Sequence, residues 1–232
     1  MEHKKETQNT VRKNYWDENI NSWASLYLDI SHGHEKFSCN PILSWIYNRT
    51  IIHIDARTMK LRYTLTKNFL EKHANGSGTF ADIGCGSGIF SIQATKLFAK
   101  VICIDSSNGS LEQTRIATRD VQTPIEYHQL DVISGAIPKS DVALLVGVLP
   151  YIADIRQVLD KILAATDCIL MNYCDENNVF NGLRRLIKPL NVRNLHFHNT
   201  RDVLNVIEKN NFLVEAVHTV GTGYLLEAVR KR

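Results

Sequence analysis

A glycine-rich turn directly behind a short apolar segment constrains this chain more than any other feature. Residues 79–83 are mostly apolar, and Gly84, Gly86 and Gly88 follow at every second position. Glycine has no Cβ and adopts positive φ readily, so such a turn lets a ligand lie against the backbone. A helix that begins after the turn directs unpaired N–H groups at that ligand. The pattern predicts a strand, a sharp turn and a helix that together bind a nucleotide-type cofactor.

The spacing of the glycines distinguishes between kinds of cofactor. A dinucleotide turn reads G-x-G-x-x-G or G-x-G-x-x-A, whereas Ile89 stands here where that small residue is expected. No G-x-x-x-x-G-K-[ST] segment is present, which excludes a P-loop. The string D-I-G-C-G-S-G, residues 82–88, resembles motif I of the class I S-adenosylmethionine (SAM) methyltransferases. The resemblance implies SAM as cofactor and S-adenosylhomocysteine as product. It also implies that Asp82 binds the amino group of the cofactor's methionine part. The turn residues that would lie beneath this part are Gly84, Cys85, Gly86 and Gly88.

A second acid ends the next apolar run. Asp105 follows residues 101–104 and lies 17 positions after Gly88, close to the ~20-residue spacing at which an acid meets ribose hydroxyls. A carboxylate can accept hydrogen bonds from both the 2′- and the 3′-hydroxyl. The alternative is that Asp105 caps the following helix through Ser106 and Ser107, and both roles can coexist.

A third acid repeats this pattern with a more polar strand. Asp131 ends the predicted strand 125–130. The resemblance places Asp131 beside the exocyclic amine of adenine and Val132 against the ring face. A plain turn residue before Gly135 is the alternative for Asp131.

The fourth predicted strand, 141–147, leads into Leu-Pro-Tyr at 149–151. Ligands of open α/β sheets bind outside the carboxyl ends of the strands, so Gly147 and Tyr151 are expected to border the transferred methyl group. Enzymes that methylate planar amines resemble one another here, with Asn, Asp or Ser at the position of Val148. Valine cannot accept a hydrogen bond from an amine, so this departure argues against methylation of a base amine.

The order of elements predicts an α/β fold with a doubly wound, seven-stranded, mostly parallel sheet. Strands separated by helix-length segments form parallel βαβ units with right-handed crossovers. The last two apolar runs, 212–218 and 224–229, are joined by a turn too short for a helix and predict an antiparallel hairpin. The expected strands are 79–83, 100–104, 125–130, 141–147, 167–173 and the hairpin, and the expected helices are 87–98, 108–120, 152–164 and 199–209.

Two domains are expected. Residues 1–78 read as an N-terminal helical lid or cap, rich in aromatic side chains, and residues 79–232 as the SAM-binding α/β methyltransferase domain. A lid would close over the carboxyl ends of the strands and exclude water from the site. Helices packed on the flank of the sheet are the alternative for residues 1–78.

The resemblance extends, at the level of pattern, to small-molecule O-methyltransferases, including the magnesium-protoporphyrin type. It rests on the opening segment 11–27 and on the closing segments from Phe180 to Val229. By this comparison Tyr27 matches a tyrosine thought to act at the site. The porphyrin enzymes carry a histidine where this chain has Pro150, which argues against a porphyrin acceptor.

An alcohol or carboxylate acceptor also needs a group to take or position its proton. The catalytic candidates are Tyr27, His34 and Tyr151, with His34 in a glycine-containing loop of the predicted lid. Basic residues can bind an anionic group of the acceptor. A lone histidine is more often a packed or surface residue than a catalytic one. The candidates for acceptor binding are Tyr15, Trp16, His196, His198, Arg184 and Arg193. No acid cluster follows the fourth strand, so no metal is expected.

Composition indicates a small-molecule enzyme of the cytoplasm. The net charge is +3 without a long basic block, unlike the concentrated basic face of a nucleic-acid binder. The five scattered cysteines are typical of reduced core thiols, and the charged amino terminus lacks the apolar region of a signal peptide. No membrane partner is expected, and the oligomeric state stays open. A nucleic-acid (rRNA or DNA) N-methyltransferase and a non-catalytic SAM-binding regulator are the alternatives.

Overall fold

The computed structural model describes residues 52–186 and 194–232, with side chains from residue 56 onward. Among them, strands and helices alternate in the order expected of a doubly wound fold. The strands are β1 (Thr79–Ile83), β2 (Lys100–Asp105), β3 (Ile125–Gln129), β4 (Val142–Leu145), β5 (Cys168–Cys174), β6 (Phe212–Val220) and β7 (Gly223–Arg230). The helices are α1 (Ile52–His73), α2 (Ser91–Ala94), α3 (Asn108–Thr118), α4 (Arg156–Ala165), α5 (Val179–Leu186) and α6 (Thr200–Lys209), with a short 3-10 helix at Leu149–Tyr151. No helix in this part of the chain is long and apolar enough to cross a bilayer.

The strands form one seven-stranded sheet in the order β3-β2-β1-β4-β5-β7-β6. Strands β1 to β5 pair in parallel, and β7 pairs antiparallel with both β5 and β6. The predicted fold class and the carboxyl-terminal hairpin are therefore confirmed. The chain runs outward in opposite directions from β1 and β4, so the topological switch point lies between these two strands, where α/β sheets bind their ligands.

Two apolar layers cover the two faces of the sheet. Alternate side chains of a strand point to opposite faces, so Phe80 and Asp82 face one layer, and Ala81 and Ile83 the other. The Phe80 layer packs α1, α2 and α3 on the sheet. The other layer packs α4 and α6 there. Burial on both faces explains why β1, β2 and β4 are almost continuously apolar.

Helix α1 packs on one face of the sheet. Phe69 and Leu70 are buried in the layer that contains Phe80. This part of residues 1–78 thus packs on the sheet, as the flank alternative expects. Residues 1–51 lie outside the described residues, and the lid and its boundary at residue 78 stay predictions.

Two helices differ from expectation. The helix expected at 87–98 is reduced to α2, because the turn before it stays non-helical as far as Gly88, whose φ is 76°. Helix α5 was not expected, since its apolar residues do not face the core. Val179 and Leu186 are exposed, and Asn181 is the buried residue of this helix.

An ion cluster fixes the end of α1 to the hairpin. Lys72 donates to Glu227 on β7 and, at 2.8 Å, to Glu215 on β6. His73 Nε2 lies 2.8 Å from the same Glu227 carboxylate. Burial alone would raise the pKa of Glu227, but the hydrogen bonds from Lys72 and His73 outweigh it and hold that pKa below its ordinary value. The cluster lies beside β5, because Glu227 pairs with Leu170 of that strand.

We expect Glu227→Gln to lower the free energy of unfolding at pH 7 by ~1.5–3 kcal/mol, the range for hydrogen bonds to charged groups. A carboxyl with a lowered folded-state pKa stabilises above its unfolded pKa of ~4.3 and loses that contribution as pH falls. The difference from the wild type should therefore shrink in acid. Urea unfolding at pH 7 and pH 3.5 measures both effects, and Glu112→Gln, in an exposed pair with Arg115, is the matched control. Equal stability of Glu227→Gln and the wild type at pH 7 would contradict the role of this cluster.

Candidate active site

The glycine turn is held between three strands. The N–H groups of Gly84 and Cys85 both donate to Ile104 O at the end of β2, at 2.7 and 3.1 Å. Gly84 has a φ of 79°, and a Cβ built on it would lie 2.2 Å from Val148 Cγ2 in the loop after β4. A side chain at residue 84 would clash there and strain the backbone. Glycine therefore lets the β1 and β4 loops meet at the switch point.

Helix α3 packs against the same turn through Thr114. A Cβ on Gly88 would lie 3.0 Å from Thr114 Cα, so the turn and the helix are in close contact. The Thr114 hydroxyl donates to Gly86 O at 3.0 Å and lies 3.4 Å from Cys85 Sγ. Sequence reasoning missed Thr114, because nothing in its local pattern shows that it reaches the turn.

Asp82 is a buried carboxyl at the start of the turn. Only 3% of the residue is exposed, and Ser91 Oγ donates to Asp82 Oδ2 at 2.6 Å. Burial raises the pKa of Asp82 to about 7, with a smaller contribution from the charge of Asp105, while the Ser91 bond opposes the shift. A cationic amino group bound nearby would favour the ionised form. The carboxyl thus suits the amino group of the cofactor.

Asp105 fixes both the glycine turn and the start of α3, and its expected role at the ribose stays a prediction. Its Oδ2 accepts from Gly86 N at 3.1 Å and its Oδ1 from Ser107 N at 2.9 Å. The Ser107 hydroxyl in turn accepts from Ser110 N and caps α3. Each carboxylate oxygen has a second lone pair, so Asp105 can hold the turn and still accept from ribose hydroxyls. Ser106 is exposed beside it.

The loop after β3 is fixed by a lysine. Asp131 Oδ1 accepts from Ile133 N at 2.9 Å, as a turn residue does. Lys161 on α4 donates to the carbonyls of Val132, Ile133 and Gly135. Val132 is buried against the core. These contacts hold Asp131 at the carboxyl end of β3, where the adenine contact is expected.

The loop after β4 carries a contact that the sequence did not reveal. Gly147 has a φ of 86°, and its N–H donates to Asn172 Oδ1 on β5 at 2.5 Å. A Cβ on Gly147 would meet no atom of the described residues within 4 Å. Within the described residues, the position of this missing side chain is therefore open space.

His196 and His198 run beside the same loop. His196 N donates to Pro150 O at 2.7 Å. The imidazole of His198 is buried, and its Nε2 lies 3.0 Å from Leu149 O. Burial lowers the pKa of His198, although the bond to Leu149 opposes the shift. This histidine thus supports the loop that carries Tyr151, which is partly exposed.

Residues 81–167 match the family model described as a methyltransferase domain. The match begins within β1 and includes the glycine turn and the three acids. The chain contains a class I SAM-dependent methyltransferase domain. The class has SAM as its cofactor, and the residues present fit it. The buried carboxyl of Asp82 would bind a cationic amino group, the glycines of the turn would let the ligand lie against the backbone, and Asp105 would bind the ribose. When bound, SAM supplies a methyl group on a sulfonium sulfur.

Solved structures show the same fold as this methyltransferase domain. Magnesium protoporphyrin IX methyltransferase from Synechocystis PCC 6803 with bound S-adenosylhomocysteine has a TM-score of 0.74 at 16% identity, over 96% of this chain and 100% of that chain. The N-methyltransferase NodS from Bradyrhizobium japonicum WM9, also with S-adenosylhomocysteine, has a TM-score of 0.60 at 14% identity, over 91% and 98%. At these identities the likeness concerns the fold.

Curated relatives share part of the sequence. The ribosomal protein L11 methyltransferase of Campylobacter lari is 36% identical over 93 residues, which are 40% of this chain and 32% of the relative. The L11 enzyme of Alkaliphilus metalliredigens is 37% identical over 95 residues, 40% of this chain and 29% of the relative. The chain thus spans about a third of the length of these relatives.

The remaining candidate residues lie elsewhere. Arg184 is on α5, where its guanidinium stacks over the Phe180 ring at 4.8 Å. The other candidates for catalysis and acceptor binding lie outside the described residues: Tyr15, Trp16, Tyr27, His34 and Arg193. Within the described residues, one group has metal-ligating side chains in reach of one another: His73, Glu215 and Glu227. Lys72 already supplies a cation to both of these carboxylates.

We expect Asp105→Ala to weaken binding of S-adenosylhomocysteine by ~1.5–3 kcal/mol, the range for hydrogen bonds to a charged group. Two effects contribute, because the variant loses the ribose acceptor and the bond that holds Gly86 N. Isothermal titration calorimetry measures the change. Asp120→Ala is the matched control, since Asp120 is exposed beside Arg119. Unchanged affinity of Asp105→Ala would contradict the assignment of Asp105.

Proposed function

We propose that this protein transfers a methyl group from SAM to an oxygen of a small, anionic metabolite or glycan-type intermediate. The observation that carries the proposal is the contact of Val148 with the glycine turn. Val148 lies where amine-methylating enzymes hold the planar amine with a polar side chain, and its Cγ2 packs toward Gly84. An apolar side chain at this position offers an amine no hydrogen-bond acceptor. An oxygen nucleophile has no planar NH₂ group to be held at this position, and its proton can go to a base elsewhere in the site.

The residues of this chain position the cofactor and the acceptor for the transfer. An in-line attack requires the acceptor oxygen at ~3 Å from the methyl carbon, and such positioning can supply ~7–11 kcal/mol of the barrier. Asp82 and Asp105 fix the two ends of the cofactor across the turn. The loop at Leu149–Tyr151, supported by His198, fixes the acceptor side. The acceptor loses its proton to a base, for which Tyr151, Tyr27 and His34 are the candidates.

The anionic character of the acceptor rests on nearby basic and polar groups. Arg184 lies on α5, soon after the carboxyl end of β5, and His196 lies beside Pro150. Arg193 is close to His196 in the sequence. Guanidinium groups bind carboxylates and phosphates bidentately. A lid formed by the segment before α1, which contains Tyr15, Trp16, Tyr27 and His34, would enclose such an acceptor.

Reaction in the cytoplasm agrees with the state of the described cysteines. Cys85, Cys103, Cys168 and Cys174 are free thiols, and the first three of them are buried. Free thiols persist in a reducing compartment. Soluble acceptor and enzyme would meet there without a membrane partner.

A protein amine is the second candidate acceptor, because two relatives with 36% and 37% identity are named ribosomal protein L11 methyltransferases. The two candidates differ in what is labelled. A protein acceptor would carry the methyl group into a macromolecular fraction. A small acceptor would not.

The test is incubation of the purified protein with methyl-labelled SAM and a cell extract, followed by separation into small molecules, protein and nucleic acid. We expect label in the anionic small-molecule fraction, unchanged by prior ribonuclease treatment. Gly86→Val is the negative control. We expect this variant not to bind the cofactor, because a side chain at residue 86 would occupy the place of the ligand against the backbone. Label confined to protein or nucleic acid would overturn the proposal, and binding of SAM without any transfer would favour a regulator.

A further inference from the structure

Asn172 is a polar residue near the carboxyl end of an otherwise apolar strand. It follows Cys-Ile-Leu-Met in β5 and is partly exposed, while the four residues before it are buried. By alternation it lies on the same face of the sheet as Leu170 and, two strands away, Asp82. The cofactor contacts described above do not use it.

The orientation of the Asn172 carboxamide follows from its partner. Gly147 N–H can only donate, so the atom that it contacts at 2.5 Å is the carbonyl oxygen of Asn172. The amide nitrogen therefore points away from Gly147 and carries two N–H donors. Within the described residues, no acceptor is bonded to this nitrogen. The side chain thus presents donors next to the loop after β4.

These donors lie beside the loop after β4, at the carboxyl ends of the strands, where α/β sheets bind their ligands. The missing side chain of Gly147 leaves space that no described atom fills within 4 Å. The next residue, Val148, contacts the cofactor turn at Gly84. The Asn172 carboxamide is bonded to Gly147, which directly precedes Val148 in the sequence. It therefore lies close to the contact between Val148 and Gly84.

We propose that the Asn172 amide nitrogen binds an oxygen of the acceptor and thereby determines specificity for acceptors with a carboxylate, phosphate or carbonyl oxygen. This inference rests on the proposed function and names a residue that selects its substrate. The carbonyl oxygen of Asn172, which would accept from an amine, is already bonded to Gly147. That oxygen keeps one further lone pair, whereas both N–H donors of the amide nitrogen are unbonded within the described residues. A donor binds an oxygen and offers nothing to an ammonium group.

The decisive variant is Asn172→Asp, because aspartate keeps an oxygen for Gly147 N and replaces the donor by a second oxygen. We expect transfer to the anionic small-molecule fraction to fall by ~10²-fold or more, the loss typical of one preorganised donor. Affinity for S-adenosylhomocysteine and the unfolding midpoint should stay at wild-type values. Asn205→Asp, on the exposed side of α6, is the matched control. Wild-type transfer by Asn172→Asp would overturn the inference.

A second measurement does not depend on turnover. In ¹⁵N-labelled protein saturated with S-adenosylhomocysteine, the side-chain amide signal of Asn172 is identified by its loss in Asn172→Asp. Benzoate should shift this signal, and benzylamine should not. No shift with benzoate, or an equal shift with both probes, would contradict a donor that selects oxygen. If the wild type labels only protein while benzoate still shifts Asn172, the proposed acceptor class fails and the binding role of Asn172 stands.

Discussion

The contact between Gly84 and Val148 is the constraint on which the rest of the site depends. It brings the loops after β1 and β4 together at the point where the chain order of the sheet reverses. Because a Cβ on Gly84 would lie 2.2 Å from Val148 Cγ2, the junction exists only with glycine in a left-handed conformation. The turn beyond it has glycine at every second position, and the Thr114 hydroxyl on α3 donates to its Gly86 carbonyl.

The junction also divides the chemistry of the site. The acids Asp82 and Asp105 belong to the cofactor side, where one is buried with a raised pKa and the other spans the turn. In the proposed function, the open space at Gly147, the donors of Asn172 and the loop supported by His198 serve the acceptor. Val148 lies at the junction between the two sides. Its apolar side chain offers an amine no hydrogen-bond acceptor. The proposed choice of oxygen as acceptor follows from this division.

Sequence patterns predicted the sheet well because its strands are buried on both faces, so that short apolar runs between helix-length segments mark them. The limits of α2 and the presence of α5 were not predictable in this way, since the first depends on the turn geometry and the second has few buried residues. Glycine spacing and strand-end acids indicated the cofactor side. Thr114, Asn172 and the loop contact of His198 depend on approaches between distant segments, which no local pattern contains.

The most direct test of the account is calorimetric comparison of S-adenosylhomocysteine and NAD binding to the wild-type protein. The turn reads G-x-G-x-G, and Ile89 occupies the position where a dinucleotide turn needs a small residue beneath the pyrophosphate. The account predicts that S-adenosylhomocysteine binds more tightly than NAD. Tighter binding of NAD would contradict the assignment of the switch point as a SAM site.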